Sequence, residues 1–230
     1  MIFAREYGST MTSRPISQPA ATVFVVDDDI SVLESIELLL RYEGLEVEIF
    51  KSAQEFLARP RTLAPSCLIL DVSLPGLNGL ELQQRISGEQ QDMPIIFITG
   101  HGTIPMTVQA MKAGAIEFLT KPLSDQALMN AIRSAIGRSA ANLARHEELL
   151  ALRTRYERLT PREREVLGLV VTGLLNKQVA DELHISEITV KAHRGCMMRK
   201  MEAGSFAELV NMASRLRLKR PPAMRPVASK

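Results

Sequence analysis

Residues 66–79 read Ser-Cys-Leu-Ile-Leu-Asp-Val-Ser-Leu-Pro-Gly-Leu-Asn-Gly. The run Cys67–Leu70 lacks polar alternation, as expected of a strand covered on both faces of a parallel sheet. It stops on an acid, Asp71, at the carboxyl end of the strand, where open α/β sheets bind ligands. Four further runs are β-branched-rich and mostly lack polar alternation: Thr22–Val26, Val47–Phe50, Ile95–Ile98 and Ile116–Leu119. Between them, apolar residues recur at helical spacing. Val32, Leu33, Ile36, Leu39 and Leu40 mark a first helix, closed by Gly44. Phe56 and Leu57 mark a second, Leu80 and Leu82 a third, and Met106, Val108 and Met111 a fourth. A fifth begins near Ser124 and carries Leu128, Ile132 and Ile136. Five β-α units over residues 21–137 predict a doubly wound (βα)5 sandwich of α/β class.

The remaining chain has a different character. Residues 1–137 hold 10 Lys and Arg against 16 Asp and Glu, a net −6, whereas residues 138–230 hold 18 against 10, a net +8. An acidic half and a basic half suggest two tasks, the second involving a polyanion. No apolar run approaches the roughly 20 residues needed to span a bilayer. Residues 1–20, with Arg5, Glu6 and Arg14 amid Ser, Thr and Pro, lack the apolar stretch of a secretory signal and are expected to be a disordered leader. The two cysteines, Cys67 and Cys196, read as packing residues in a reducing compartment.

Residues 138–158 continue as a charged helical linker with Leu143, Glu147 and Leu150. Thr160-Pro161 then reads as an N-cap and first helical position. Helical patterns follow at Glu163–Thr172, Asn176–Leu183, Glu187–Met201 and Phe206–Leu216, broken at Gly173, Ser186 and Gly204–Ser205. They define an all-α four-helix domain over 159–217. The Pro-rich tail 218–230 is expected to be disordered. Two short helices joined by a tight turn at His184–Ser186 form a helix-turn-helix. On the second of them, Val190, Met197 and Met201 share one face, while Lys191, Arg194 and Met198 share another, which suits a DNA major groove. The methionines read as core rather than as a metal site, and His193 as a packing residue.

In the first half the polar residues stand at strand ends: Asp27, Asp28 and Asp29 after strand one, Asp71 after strand three, Thr99 after strand four and Lys121 after strand five. With strand order 2-1-3-4-5, Asp27, Asp28 and Asp71 converge where the order reverses. Clustered carboxylates need a cation, and an oxygen-only set suits Mg²⁺ or Mn²⁺. A carboxylate facing such a metal can take a phosphoryl group, with a lysine and a hydroxyl holding the phosphoryl oxygens. A single strand-end Asp or Thr commonly does no more than cap the next helix. Four strand ends carrying this set together favour a site. Asp29 reads as a helix-start acid and His101 as a loop residue.

Val25-Val26-Asp27-Asp28-Asp29, Leu70-Asp71 through Asn78-Gly79, Ile98-Thr99-Gly100 and Phe118-Leu119-Thr120-Lys121-Pro122 resemble, in order and spacing, the motifs of response-regulator receiver domains, a flavodoxin-like fold. The resemblance covers about residues 21–137. It implies that Asp71 accepts a phosphoryl group from a phosphohistidine on a sensor histidine kinase. It further implies that Asp28, Asp71 and the Ser73 carbonyl ligate Mg²⁺, with Asp27 holding a metal water. Thr99 and Lys121 would bind phosphoryl oxygens, and Phe118 would swing inward as Thr99 moves. Phe118 stands where many relatives have Tyr, and the Lys121–Pro122 bond is cis in many of them.

Residues 159–216, with Leu159-Thr160-Pro161-Arg162-Glu163, Asn176-Lys177-Gln178-Val179-Ala180 and Thr189-Val190-Lys191-Ala192-His193-Arg194, resemble the LuxR-type helix-turn-helix of FixJ-like response regulators. That likeness makes Glu187–Met201 the recognition helix, with Lys191, Ala192, Arg194 and Gly195 nearest the bases. Thr189, Lys177, Arg199 and Lys200 would mostly meet phosphates. Gly195 departs from the larger residues common there and removes a base contact.

The expectation is a cytoplasmic two-component transcription factor with no membrane association. It would bind double-stranded operator DNA, pair with a second copy on phosphorylation, and have RNA polymerase as a further candidate partner. Beyond autodephosphorylation it is not expected to be an enzyme. An aspartyl-phosphate phosphatase would need a second Asp two residues after the nucleophile, and position 73 is Ser. The remaining alternative is a phosphorylation-independent DNA-binding protein with the receiver as a dimerisation module.

Overall fold

The computed structural model describes residues 21–60, 62–89 and 93–218, so the leader 1–20 and the tail from residue 219 lie outside the described residues. Five parallel strands, β1 (Thr22–Val26), β2 (Glu46–Phe50), β3 (Ser66–Asp71), β4 (Ile95–Thr99) and β5 (Glu117–Thr120), form one sheet in the order β2-β1-β3-β4-β5. They alternate with α1 (Ile30–Tyr42), α2 (Ala53–Ala58), α3 (Gly79–Glu89), α4 (Ile104–Lys112) and α5 (Asp125–Glu157). The doubly wound expectation holds, with the reversal of order between β1 and β3.

Each sheet face has its own core. Val23, Val25, Ile69, Ile96 and Ile98 pack with Leu33, Ile36 and Leu40 of α1 and Leu128, Ile132 and Ala135 of α5. Phe24, Leu68, Leu70 and Phe97 pack on the other side with Phe56, Leu82, Ile86 and Ala110 of α2, α3 and α4. Burying such a side chain is worth about 1.5–3 kcal/mol, so the central strands carry much of the drive to fold. Cys67 lies fully inside, and burial pushes its thiol up to about 12, as suits a packing residue.

Two expectations need correction. The strands are not all covered on both faces: β1, β3 and β4 are buried throughout, but β2 and β5 expose residues because each has a single neighbour in the sheet. The apolar pattern of α4 is also split: Met106 packs against the core, but Val108 and Met111 point outward. Ile104, Val108 and Met111 are exposed, and Ala110 is the buried residue of that helix.

The chain divides into two compact units after Leu143, within α5. In the second unit, α6 (Pro161–Val170), α7 (Asn176–Leu183), α8 (Glu187–Met201) and α9 (Phe206–Arg215) surround Leu159, Val166, Leu167, Val170, Val179, Val190, Met197, Met201 and Leu209. Helix α6 opens with a capping box. Glu163 N donates to Thr160 Oγ1 (3.2 Å), and Thr160 N donates to Glu163 Oε2 (2.8 Å). Helix α6 begins at Pro161 with Thr160 as its N-cap, as the sequence predicts, because proline is pre-shaped for the first helical position. Among the described residues no helix is long and apolar enough to cross a membrane.

Candidate functional site

Sheet register assembles the acidic site. Val26 pairs with Leu70, so the residues that follow them, Asp27 and Asp71, stand side by side. Asp71 pairs with Ile98, which places Thr99 one step beyond it, and Thr99 pairs with Thr120, which Lys121 follows. Neighbouring strands lie about 4.8 Å apart, so four strand ends bring their side chains within one another's reach.

Lys121 binds the two acids together. Its Nζ donates to Asp27 Oδ2 at 2.6 Å and lies 3.2 Å from Asp71 Oδ1. Asp27 Oδ1 accepts from Asp29 N (3.0 Å), and Asp71 Oδ2 accepts from Ser73 N (2.7 Å). Burial raises the Asp27 carboxyl above its ordinary value, with the bonds from Lys121 and Asp29 N opposing that rise only in part. Burial alone would lower the Lys121 ammonium, but Asp27 and Asp71 hold it above its ordinary value. Thr99 is fully buried, and its Oγ1 accepts from His101 N (3.2 Å). The Lys121–Pro122 peptide is cis.

The expected cluster of three carboxylates is not what the structure builds. Asp27 and Asp71 are buried around an ammonium, whereas Asp28 is exposed at the rim. Among the described residues, no three His, Cys, Asp or Glu side chains stand as a closed metal cage. The donors still fit Mg²⁺, which takes one or two carboxylates and keeps several waters: Asp71 at the end of β3, and Asp28 and the Ser73 carbonyl on the loops after β1 and β3, are oxygen donors. Asp29 caps α1, accepting from Ser31 N at 2.9 Å, and His101 is an exposed loop residue.

Two glycines shape this end of the sheet, and neither was singled out from sequence. A β-carbon on Gly79 would collide with the Asp71 carbonyl oxygen and stand 3.0 Å from Val72 Cα, so the first turn of α3 can lie against the acceptor strand only without a side chain. Gly79→Ala is expected to cost about 1–3 kcal/mol, seen as a lower urea midpoint. An unchanged midpoint would mean that α3 shifts freely. A β-carbon on Gly102 would stand 3.0 Å from Phe118 Cε1 and 3.2 Å from Thr99 Cγ2. The half-buried Phe118 ring, 6.2 Å from the Phe97 ring, thus borders both Thr99 and the loop after it.

The second unit carries the helix-turn-helix. His184 ends α7 in the left-handed conformation (φ 51°), Ile185 follows, and Ser186 caps α8 by accepting from Thr189 N (3.1 Å). Val190, Met197 and Met201 face the core, as expected. Lys177, Lys191, Ala192, Gly195 and Arg199 are exposed. Five residues expected at DNA also have side-chain partners within this unit: Lys191 lies 3.4 Å from Glu187, Arg199 Nη2 donates to Cys196 Sγ (3.4 Å), and three more are held as follows. Arg194 Nη1 donates to Asn176 Oδ1 (3.0 Å), and its guanidinium lies 4.6 Å from the Phe206 ring centre. Lys200 Nζ donates to Glu163 Oε2 at 2.7 Å, while the Thr189 hydroxyl shares a 2.8 Å hydrogen bond with Ser186 Oγ. Arg194 and Lys200 flank the buried face of α8, so α6, α7 and α9 capture them. Met198, expected on the outer face, also packs against the core. Sequence reading missed Glu163, whose capping role was visible in the Thr160 motif but whose burial was not.

Comparison with known proteins agrees with both units. A family model of response regulator receiver domains matches residues 23–133, and one of bacterial regulatory proteins of the luxR family matches residues 157–213. Nodulation protein W of Bradyrhizobium diazoefficiens is 50% identical over 196 residues, spanning 85% of this chain and 86% of that protein. The transcriptional regulatory protein FixJ of the same organism is 41% identical over 194 residues, spanning 84% and 94%. The solved structure of the response regulator StyR superposes with a TM-score of 0.75 at 47% identity, covering 85% of this chain and 99% of that one. A receiver that gathers its strand-end acids around one lysine, followed by a LuxR-type DNA-binding domain, places this chain in the FixJ-like family of response regulators.

Proposed function

We propose that Asp71 is the phosphoacceptor and that its phosphorylation by a sensor histidine kinase promotes dimerisation and operator binding. The observation that carries this reading is the Asp27–Lys121–Asp71 bridge beside Thr99. Asp71 attacks phosphorus, and the P–N bond of the donor phosphohistidine breaks with its electron pair returning to the imidazole. Mg²⁺, held by Asp28, Asp71 and the Ser73 carbonyl with Asp27 reached through water, would when bound offset charge between the acid and the incoming phosphoryl oxygens. Lys121 leaves its bridging position for a phosphoryl oxygen, and the Thr99 hydroxyl takes another.

The new group adds about 1.5–2 negative charges. Thr99 and Phe118 then move together and remodel the surface of α4 and β5. The exposed stripe Ile104, Val108 and Met111 supports that surface as the face that pairs with a second copy. Two helix-turn-helix units would then meet half-sites about one DNA turn apart. The protein works in the cytoplasm, contacts RNA polymerase at the promoter, and turns over no substrate beyond its own acyl phosphate.

Treating the full chain with acetyl phosphate and Mg²⁺, beside Asp71→Asn, tests this by intact mass and sedimentation together. Wild type is expected to gain one phosphoryl group and dimerise, and the variant to do neither. No gain in wild type would favour a phosphorylation-independent DNA-binding protein whose receiver is a dimerisation module.

A further inference from the structure

The outward face of α8 is chemically unusual for a reader of base edges. At 100° per residue, Ile188, Ala192, Gly195 and Arg199 fall in one line, opposite the buried Val190, Met197 and Met201. The first three of those four outward positions carry no hydrogen-bonding group. Ile188 is 79% exposed at the second position of the helix, one turn before Ala192. A β-carbon on Gly195 would meet nothing within 4 Å, so the third position is open space. The neighbouring cation, Lys191, lies 3.4 Å from Glu187 on the same helix.

A lone exposed isoleucine needs no special account. This one stands in the row that the helix-turn-helix presents to the groove, in the half of the chain with net charge +8. In the major groove the one apolar mark on a base edge is the C5-methyl of thymine. A row of Ile, Ala and Gly fits that mark, and the missing side chain at Gly195 lets the helix approach closely enough for short side chains to reach it.

We propose that Ile188, with Ala192 beside it, is a specificity-determining residue that reads thymine methyl groups. Each operator half-site then carries a thymine facing the first turn of α8. This rests on the DNA-binding reading and adds the chemistry of the recognised base.

The test uses the phosphorylated full chain to select a preferred duplex from a random library. Each thymine of that duplex is then replaced by deoxyuridine, which removes the methyl alone. One position per half-site is expected to lose affinity about 4-fold, the worth of one buried methyl. Ile188→Ala should bind the thymine and uracil duplexes equally, with the salt dependence of wild type, since no phosphate contact is lost. Ile188→Val should keep part of the discrimination, and circular dichroism of the variants should match wild type because the side chain is exposed. Discrimination that persists in Ile188→Ala, or a duplex with no methyl-sensitive position, overturns the proposal. Failure to enrich any sequence overturns the DNA-binding reading itself, and the proposal with it.

Discussion

Lys121→Met is expected to destabilise the receiver by about 3 kcal/mol at neutral pH, because it strands two buried carboxylates. Asp27 and Asp71 are at most 4% exposed and share the one ammonium. Without it they face each other in a poorly solvated pocket, and the cost is their unscreened repulsion plus the desolvation that Lys121 now offsets. The pH dependence follows from Asp27, which burial already holds above its ordinary value of 3.8. A carboxyl whose folded pKa is raised opposes folding once pH exceeds its unfolded value, and the opposition is complete above its folded value. Removing Lys121 raises it further. The deficit should therefore be small in acid, grow as pH climbs through the carboxylate range, and level off near neutrality. Urea unfolding of the full chain at several pH values measures this, with Lys121→Arg as the charge-preserving comparison. Adding Asp27→Asn should recover much of the loss. A deficit that does not change with pH would show that Lys121 matters for packing alone.

Glu163→Ala should cost the DNA-binding unit about 2–3 kcal/mol, since it removes half of a capping box and the partner of Lys200 at once. Burial alone would raise the Glu163 carboxyl, but the bonds from Lys200 and Thr160 hold it below its ordinary value of 4.5. A depressed folded pKa contributes stability that is complete above 4.5 and is lost as pH falls through the folded value. Glu163→Gln keeps an acceptor for Thr160 N and should cost about 1 kcal/mol, again less in acid. Lys200→Met separates the two readings of that lysine. As an internal strut it should lower the urea midpoint and leave the salt dependence of DNA binding unchanged. If instead the salt slope falls by about one and stability holds, Lys200 meets a phosphate.

How much was legible in advance depended on the kind of residue. Apolar runs marked the five strands to within a residue; those of the central β1, β3 and β4 admit almost nothing polar, while the edge strands β2 and β5 carry Glu48 and Glu117. The acids, threonine and lysine at their ends were legible for the same reason: a polar residue directly after such a run sits at the sheet's ligand-binding edge. Helix α4 was harder. Spacing marked Met106, Val108 and Met111 as the apolar residues of this helix, but not that Met106 packs inward while Val108 and Met111 face out. On α8 the same spacing gave no sign that Arg194 and Lys200, which lie close to the core-facing line, have partners inside the unit in Asn176, Phe206 and Glu163.

The order of elements, the two-unit organisation and the strand-end chemistry were determined by the sequence itself, through periodicities that act over a few residues. Tertiary structure alone decided which charges work internally. Lys121 is 94 residues from Asp27, and Lys200 is 37 from Glu163. A lysine becomes a structural strut only when folding removes water from a carboxylate within its reach, and local spacing carries no information about that desolvation.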